Sequence, residues 1–202
     1  MEKENEKMVG KKFSRKFDFH FPLMLRKFKR KMAVMLPKDV GAIIAYADIG
    51  KNSVVVEIGA GNGFLTYYLA RIAKVVYAYE IRDDAYEILK ENIKMANLDN
   101  VVIKKEDGKF FTEKNVDAVI TDIADAYDIV EHAYNALKEN GALVCYLPNI
   151  EQVKETYERA KDVFKETFVL SIIAMDYKIE EKATRPMNKG ILHTAYLMFA
   201  RK

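Results

Sequence analysis

The sequence predicts an α/β fold in which a mostly parallel sheet of seven strands is covered by helices on both faces. Apolar segments with strand character alternate with segments of helical periodicity, which is typical of parallel strands joined by crossover helices. The last two apolar segments are joined only by a polar loop, which indicates an antiparallel pair at the end of the sheet. The 202 residues, half of them hydrophobic, suit one domain with a substantial core.

Seven segments have the apolar, β-branched and aromatic character that favours strands. In chain order they are Ser53–Ile58, Lys74–Glu80, Val101–Lys105, Val116–Thr121, Ala142–Leu147, Phe168–Ile179 and Ile191–Ala200. The loop between the last two contains Arg185, Pro186 and Gly190 and is too short for a crossover helix. These two strands should therefore form an antiparallel hairpin.

Five segments have apolar residues at the spacing of a helix face. They are Lys38–Ala47, Asn62–Ala73, Asp84–Ala96, Tyr127–Lys138 and Ile150–Phe164. Pro37 precedes the first of these helices, and Asn140-Gly141 follows the fourth, as expected for helix ends. The last four helices each connect two predicted strands, as a parallel sheet requires.

Composition indicates a cytoplasmic protein without a membrane span. Cys145 is the only cysteine, so no disulfide can form within the chain. No apolar run approaches the roughly 18 residues needed to span a bilayer, and the charged N-terminus lacks the apolar block of a signal peptide. The three histidines, His20, His132 and His193, do not have the spacing of metal ligands, so no metal site is expected.

Residues 1–32 are predicted to form a basic, phenylalanine-rich arm in front of a domain of residues 33–202. Ten basic residues lie between Lys7 and Lys31, and Asp18 is the only acid among them. The interleaved aromatic residues are Phe13, Phe17, Phe19, Phe21 and Phe28. Basic side chains suit phosphates and rings stack on unpaired bases, so the arm is a candidate nucleic-acid contact. The other interpretation is a solvated arm that packs its phenylalanines on the core.

The run from Val54 to Gly63 is the most informative segment, because an apolar strand leads through three alternate glycines into a helix. Glycine allows a sharp turn and the close approach of a ligand. In open α/β sheets, ligands bind at this carboxyl edge of the strands. A dinucleotide fingerprint would require a glycine where Phe64 stands. A tight strand-to-helix connection is the purely structural alternative.

Acidic residues follow the next two predicted strands. Glu80 ends the second strand at a suitable distance to accept hydrogen bonds from ribose hydroxyls; an exposed strand-end acid is the alternative. Asp107-Gly108 follows the third strand, where an acid can bind near an adenine amine; a solvated turn is the alternative. Glycine, acid and acid at three consecutive strand ends resemble the S-adenosylmethionine-dependent methyltransferases.

The fourth predicted strand ends on Asp122, at the start of the loop Asp122–Tyr127. In methyltransferases of this fold, that loop faces the transferring methyl group. An acid there can accept a hydrogen bond from a base amine and take up a proton as positive charge develops. The other interpretation is that Asp122 or Asp125 caps the following helix.

Further segments together resemble the tRNA adenine-N1 methyltransferase family, whose members modify adenines in the T-loop. The resemblance covers residues 33–202 and rests on Leu36–Gly41, Tyr79–Arg82, Tyr146–Val153, Arg185-Pro186, His193–Leu197 and Ala200-Arg201. It implies a Rossmann-like class I methyltransferase with Asp122 as the catalytic aspartate. Ala126 replaces the proline that the family usually carries in this loop, and Tyr127 takes the aromatic position.

The same resemblance implies S-adenosylmethionine as cofactor, tRNA as partner and a homo-oligomer, which in the family is a tetramer. The implied cofactor-binding residues are Glu57, Gly59, Ala60, Gly61, Asn62, Gly63, Phe64, Leu65, Glu80, Asp107 and Asp122. The arm of residues 1–32 stands where family members usually carry a small N-terminal β-domain. Two other functions stay open: a small-molecule methyltransferase of the precorrin type, and a non-catalytic RNA-binding subunit.

Overall fold

The computed structural model describes residues 20–181, 183–187 and 190–202. Within them, helices α1 to α6 span Leu23–Lys27, Pro37–Tyr46, Phe64–Ala70, Asp83–Met95, Val130–Ala136 and Ile150–Ala160. Strands β1 to β9 span Val54–Ile58, Val75–Tyr79, Val101–Lys104, Val116–Thr121, Leu137–Leu147, Glu166–Leu170, Tyr177–Ile179, Thr184–Pro186 and Tyr196–Arg201. Two short 3-10 turns span Gly108–Phe110 and Ala126–Ile129.

Seven strands form a sheet in the order β3-β2-β1-β4-β5-β9-β6. Strand β9 runs antiparallel to both of its neighbours, and the other pairings within the sheet are parallel. The predicted α/β fold with a mostly parallel sheet and an antiparallel C-terminal strand is therefore confirmed. Strand order reverses at β1, which pairs with β2 on one side and β4 on the other, and this leaves a crevice where such sheets bind ligands.

The C-terminal strands differ from the prediction in their bounds. One strand is predicted over Phe168–Ile179, but β6 ends at Leu170, which pairs with Leu197 of β9. Strands β7 and β8 instead pair with each other in a separate two-stranded sheet. The predicted strand Ile191–Ala200 shortens to β9. A strand persists only where a neighbour satisfies its main chain, and among the described segments β6 has such a neighbour only along β9.

The predicted helix Tyr127–Lys138 is also shorter in the structure. It begins as a 3-10 turn, and α5 ends at Ala136. Leu137, predicted as helical, is instead the first residue of β5, where it is buried and pairs with Val116 of β4. Burial of this leucine against the sheet outweighs continuation of the helix, because helix propensity is a weak local preference.

Helices cover both faces of the sheet, as predicted, and each face carries one layer of the core. Val56 and Leu143 belong to the layer packed against α5 and α6. Val55 and Val144 belong to the layer packed against α2 and α3. This alternation follows from the two-residue period of a strand, which sends successive side chains to opposite faces. No helix in the described part of the chain is long and apolar enough to cross a membrane.

The described part of the arm packs on the domain. Phe21, Leu25 and Phe28 are buried against Phe64 and Tyr67 of α3. Phe64 meets the Phe21 ring edge-to-face at a centroid distance of 5.1 Å and the Phe28 ring at 5.7 Å. Burial of each such side chain contributes roughly 1.5–3 kcal/mol. Phe13, Phe17, Phe19 and the basic residues before them lie outside the described residues.

Candidate active site

The glycine-rich turn lies at the carboxyl end of β1. Gly59, Gly61 and Gly63 have positive φ angles of 81°, 57° and 78°, a backbone region that strongly favours glycine. A Cβ on Gly59 would lie 2.6 Å from the carbonyl oxygen of Asp122, and one on Gly63 would lie 2.7 Å from Cδ1 of Leu89. The turn therefore requires glycine, and it brings the Asp122 main chain directly against the glycine backbone.

A pocket opens beside this turn, lined by the end of β1, the turn itself, the start of α3 and residues 33–35. Most of the residues predicted to bind a cofactor line it: Glu57, Gly59, Ala60, Gly61, Asn62, Phe64, Leu65 and Asp122. The remaining predicted residues, Gly63, Glu80 and Asp107, lie around the turn but are not among the described walls of the pocket. The structure thus brings together residues from β1, the turn, α3 and β4.

Glu57 contributes a buried carboxylate to the pocket, with a relative exposure of 3%. Among the described residues, its Oε2 has no hydrogen-bond partner. Burial raises the pKa of Glu57 to about 8, and the charges of Asp122 and Glu80 act in the same direction. Thr66 opposes this shift, although its hydroxyl does not reach hydrogen-bond geometry with any described group. At neutral pH the isolated pocket therefore favours a protonated Glu57.

Glu80 holds the glycine turn from the end of β2. Its Oε2 accepts a hydrogen bond from the Gly61 main-chain nitrogen at 2.9 Å, and its Oε1 accepts one from the Arg82 nitrogen at 2.9 Å. It is 6% exposed, so it is not the exposed strand-end acid of the structural alternative. Each carboxylate oxygen has a second lone pair, so Glu80 retains capacity for further donors.

Asp107 has a structural partner, because its Oδ1 accepts a hydrogen bond from the Lys109 nitrogen at 2.9 Å and so caps the 3-10 turn Gly108–Phe110. Gly108 packs closely below it: a Cβ there would lie 2.6 Å from Cγ2 of Ile58. The glycine lets the loop after β3 approach the end of β1. The ribose and adenine contacts predicted for Glu80 and Asp107 stay predictions.

Asp122 lies at the mouth of the pocket, immediately after β4. Its main-chain nitrogen donates to the Ile58 carbonyl oxygen at 2.9 Å, which ties the loop to β1. The residue is exposed to solvent, yet the protein packed around its carboxyl group removes part of its hydration. This desolvation, together with the charge of Glu80, raises the pKa of Asp122 to about 6. Asp122 is therefore mostly ionised at neutral pH.

Asp125 occupies the N-cap position of the 3-10 turn Ala126–Ile129, but neither Asp122 nor Asp125 caps a helix through its side chain. In the described part of the chain, neither the 3-10 turn after Asp125 nor α5 has a side-chain cap. Asp125 instead lies 3.7 Å from Nζ of Lys109. Tyr127 is half-buried, with the Arg159 guanidinium 4.7 Å from its ring centroid, and it is not among the described pocket walls.

A segment that we call the strap, residues 29–35, forms a wall that the sequence analysis misses. Ala33, Val34 and Met35 line the pocket, and Sδ of Met32 would lie 3.6 Å from a Cβ on Gly61. The strap has neither helix nor strand structure. Its only sequence signal is a short apolar run after the basic residues, which by itself does not indicate a ligand.

A second buried polar cluster lies at the start of α2. Nζ of Lys38 donates to Oδ1 of Asp39 at 2.7 Å and to Oγ1 of Thr194 at 2.7 Å. Thr194 in turn donates to Oδ2 of Asp39 at 2.7 Å, and Asp39 is fully buried. Burial and the Asp39 charge raise the pKa of the neighbouring Tyr146. The three side chains fasten α2 to the segment before β9.

No group of three or more histidine, cysteine, aspartate or glutamate side chains within the described ranges could hold a metal ion. The pocket instead offers carboxylates around a glycine turn. Glu57, Glu80 and Asp122 lie close enough for their charges to affect one another. This arrangement suits an organic ligand that carries positive charge.

Comparison with known proteins identifies relatives along most of the chain. Residues 25–184 match the family model described as "tRNA methyltransferase complex GCD14 subunit". The chain is 36% identical to the tRNA (adenine(57)-N(1)/adenine(58)-N(1))-methyltransferase TrmI of Methanocaldococcus jannaschii, covering 88% of this chain and 74% of that protein. It is 30% identical to the tRNA (adenine(58)-N(1))-methyltransferase TrmI of Thermus thermophilus, covering 86% of this chain and 71% of that protein.

A solved structure extends the likeness to three dimensions. The tRNA (m1A58) methyltransferase TrmI of Aquifex aeolicus matches with a TM-score of 0.83 at 29% identity. The match covers 88% of this chain and 73% of that chain.

Proposed function

Because this chain belongs to the tRNA methyltransferase family whose model matches residues 25–184, we propose that it methylates N1 of an adenine in the T-loop of tRNA. The observation that carries the proposal is Asp122, which lies at the mouth of a glycine-lined pocket with its pKa raised to about 6. The methyl donor is S-adenosylmethionine, as in class I methyltransferases.

The residues that line the pocket support this choice of cofactor. S-adenosylmethionine supplies a methyl group on a positively charged sulfur, and it also carries an ammonium group. Oε2 of Glu57 is buried beside this pocket without a hydrogen-bond partner among the described groups, and a cationic ligand there would favour the ionised carboxylate. We propose that Glu57, the turn 59–63, Phe64 and Leu65 hold the cofactor, supported by Glu80, Asp107 and Asp122.

In this proposal, Asp122 orients the target base and stabilises the positive charge that develops on it. As a carboxylate it accepts a hydrogen bond from the exocyclic amine of the target adenine, which orients N1. Methylation at N1 leaves the base cationic, and the negative charge of Asp122 stabilises that charge as it develops. Orientation is the other large contribution: alignment of reacting groups lowers barriers by about 7–11 kcal/mol in favourable cases.

The target base must leave its stack to reach Asp122. N1 of adenine is paired or stacked in folded tRNA, so the base is splayed into the pocket at a cost of a few kcal/mol. Contacts with the rest of the tRNA offset this cost. We propose the basic arm as one such contact, although two of its described basic residues, Lys29 and Lys31, also pair with Glu91 and Asp84. An enzyme of this kind acts where tRNA is matured and used, which we take to be the cytoplasm.

We also propose that the protein is a homo-oligomer. The segment around β7 and β8 exposes large apolar side chains, which isolated soluble domains usually bury or pair. They include Ile173, Met175, Tyr177, Ile179 and Leu192. Sedimentation velocity should show a complex larger than 23.3 kDa, and Ile179→Lys should shift it towards the monomer.

The experiment that tests the proposed function is nucleoside analysis of tRNA by mass spectrometry after incubation with the protein and S-adenosylmethionine. We expect N1-methyladenosine, mapped to the T-loop by digestion into defined fragments. Methylation of a precorrin-like tetrapyrrole without methylation of tRNA would favour the small-molecule alternative. Binding of cofactor and tRNA without turnover would favour the non-catalytic subunit.

A further inference from the structure

The strap requires support that its own backbone does not provide. A segment without helix or strand leaves its main-chain donors and acceptors to be satisfied by side chains or solvent. Lys29 and Lys31, at its start, donate their main-chain N–H groups to asparagine side chains. The strap is therefore held in place by specific polar contacts and not by regular secondary structure.

Asn62, in the glycine turn, makes one set of these contacts. Its Nδ2 donates to the carbonyl oxygens of Met32 at 3.1 Å and Ala33 at 3.2 Å, and its Oδ1 accepts from the Lys31 nitrogen at 3.1 Å. The Asn62 side chain is therefore occupied by the strap. Asn62 therefore lines the pocket with its side chain already hydrogen-bonded to the strap.

Asn92, on α4, makes the second set from a fully buried position. Its Oδ1 accepts from the Lys29 nitrogen at 2.8 Å. Its Nδ2 donates to the carbonyl oxygens of Lys29 at 2.9 Å and Asn62 at 2.8 Å. A single side-chain amide thus uses both donors and its acceptor to join the strap, the glycine turn and α4.

We propose that Asn92 is a positioning residue for cofactor binding, which holds the strap against the glycine turn and so sets the wall of the pocket. The inference rests on the proposed function, since it takes this pocket as the S-adenosylmethionine site. Asn92 itself lies behind the wall and not among the residues that line the pocket. It acts on the cofactor only through the strap and Asn62.

The sharpest variant is Asn92→Asp, which keeps the shape of the side chain. It replaces the Nδ2 donor with an oxygen that faces the carbonyl oxygens of Lys29 and Asn62, so two attractive contacts become repulsive. The contacts of Asn62 remain, but the start of the strap at Lys29 should separate from α4 and loosen the pocket wall, so the dissociation constant for S-adenosylmethionine should rise at least about tenfold. Single-turnover methylation at saturating cofactor should keep its rate, because Asp122 lies on a different loop.

Asn100 offers a matched control for this substitution. Its Nδ2 also donates to two main-chain carbonyl oxygens, those of Ala70 at 2.8 Å and Ala73 at 3.0 Å, which lie outside the pocket walls. Asn100→Asp should lower stability in the same manner but leave cofactor affinity unchanged. Glu91→Gln is a second control. Glu91 lies on α4 beside Asn92, and the substitution removes only its exposed ion pair with Lys29 of the strap.

Titration calorimetry with S-adenosylmethionine on the full chain and these three variants tests the inference. We expect weakened binding for Asn92→Asp alone. If Asn92→Asp binds as tightly as Asn100→Asp, the inference is overturned. A wild-type protein that does not bind S-adenosylmethionine overturns the proposed function and, with it, the inference.

Hydrogen exchange of the wild-type protein provides a test that does not depend on a variant folding. Peptides covering residues 29–35 should exchange more slowly when S-adenosylmethionine is bound, because the ligand then packs against the strap. Peptides covering the Asn100 contacts should not change. Equal exchange of the strap with and without bound cofactor would overturn the inference.

Discussion

Asp39 and Glu57 are both buried carboxylates, but they differ in their hydrogen-bond partners. Asp39 receives Lys38 at one oxygen and Thr194 at the other, each at 2.7 Å. Glu57 is 3% exposed and its Oε2 has no partner among the described groups. Buried polar atoms are nearly always satisfied, so an unsatisfied one needs an explanation. The comparison supports a structural role for Asp39 and the cofactor-binding role that we propose for Glu57.

The surroundings of the two acids support this distinction. The cluster around Asp39 joins two distant parts of the chain, α2 and the segment before β9, and its hydrogen bonds close on themselves. Glu57 instead lines the pocket with Asp122, and the charge of Asp122 adds to the effect of burial in raising the pKa of Glu57. Perturbed pKa values gathered in one cleft are typical of functional sites. Four substitutions, two of them with a control variant, test this difference between structural and functional carboxylates.

Asp122→Asn should have the largest effect. The variant keeps the shape of the side chain but loses the charge that stabilises a cationic base, and such roles contribute about 10²–10⁴ in rate. Single-turnover methylation with saturating cofactor measures the loss. In the wild type, the rate should also fall as the pH drops through about 6, because protonation of Asp122 removes its charge.

Asp125→Asn is the control for Asp122, since its carboxylate is exposed and lies 3.7 Å from Lys109. It should keep the wild-type rate. Loss of rate in Asp125→Asn with full rate in Asp122→Asn would mean that the catalytic carboxylate is Asp125.

Asp39→Asn should lower stability and not binding. It leaves the Lys38 ammonium, whose side chain is 10% exposed, without its counter-charge, and breaking a buried pair in this way costs about 3 kcal/mol. Urea unfolding measures the loss, and cofactor affinity should stay unchanged. Glu139→Gln removes an ion pair with Lys165. The Lys165 side chain is 67% exposed and the Glu139 side chain 72%, so the loss should cost less than about 1 kcal/mol. Equal losses for both variants would contradict our account of Asp39.

Glu57→Gln should change how stability depends on pH. Burial raises the pKa of Glu57 to about 8 in the folded protein, against 4.5 for an unperturbed glutamate, so between these pH values the folded protein binds a proton that the unfolded chain has released. Wild-type stability contributed by this group is therefore lost as pH rises from about 5 to 8. The Gln variant lacks this loss, so its stability relative to wild type should increase by about 2–3 kcal/mol over that range. A constant difference at pH 5 and pH 8 would show that Glu57 is ionised in the fold.

Glu80→Ala should have the smallest of the four effects. It removes the acceptor for the main-chain nitrogens of Gly61 and Arg82 and leaves the glycine turn less fixed. Hydrogen bonds to a charged group contribute about 1.5–3 kcal/mol each, part of which water replaces here. Cofactor affinity, measured by calorimetry, should fall about tenfold while the fold persists. Unchanged affinity would mean that Glu80 supports neither the turn nor the cofactor.

The predicted glycine turn and the aspartate after β4 lie where expected because both depend on local features. Three glycines after an apolar strand indicate a backbone with positive φ angles. The carboxyl ends of parallel strands lie at the same edge of the sheet, so the residues that follow them come together. Asp122 is thus brought beside Gly59 by the pairing of β1 with β4. The side chain of Asn62, by contrast, is committed to the strap, a contact that no local pattern indicates.

The bounds of the C-terminal strands show a different limit. Phe168–Ile179 is apolar enough to predict one strand, yet the pairing of β6 stops at Leu170, opposite Leu197, because β9 itself begins at Tyr196. Similarly, Leu137 leaves the predicted helix because it has a buried place beside Val116. In both cases a non-local partner decides what the local sequence leaves undecided.

The sequence by itself determined the alternating α/β architecture, the glycine turn, the carboxylates at the strand ends and the family resemblance. The first three follow from periodicity and backbone conformation, which are properties of neighbouring residues, and the resemblance rests on short motifs along the chain. Only the tertiary structure decided that the strap walls the pocket, that Asn92 holds it, and that Asp39 is satisfied while Glu57 is not. Burial and hydrogen-bond satisfaction depend on residues distant in sequence, since each requires a partner that the fold alone brings near.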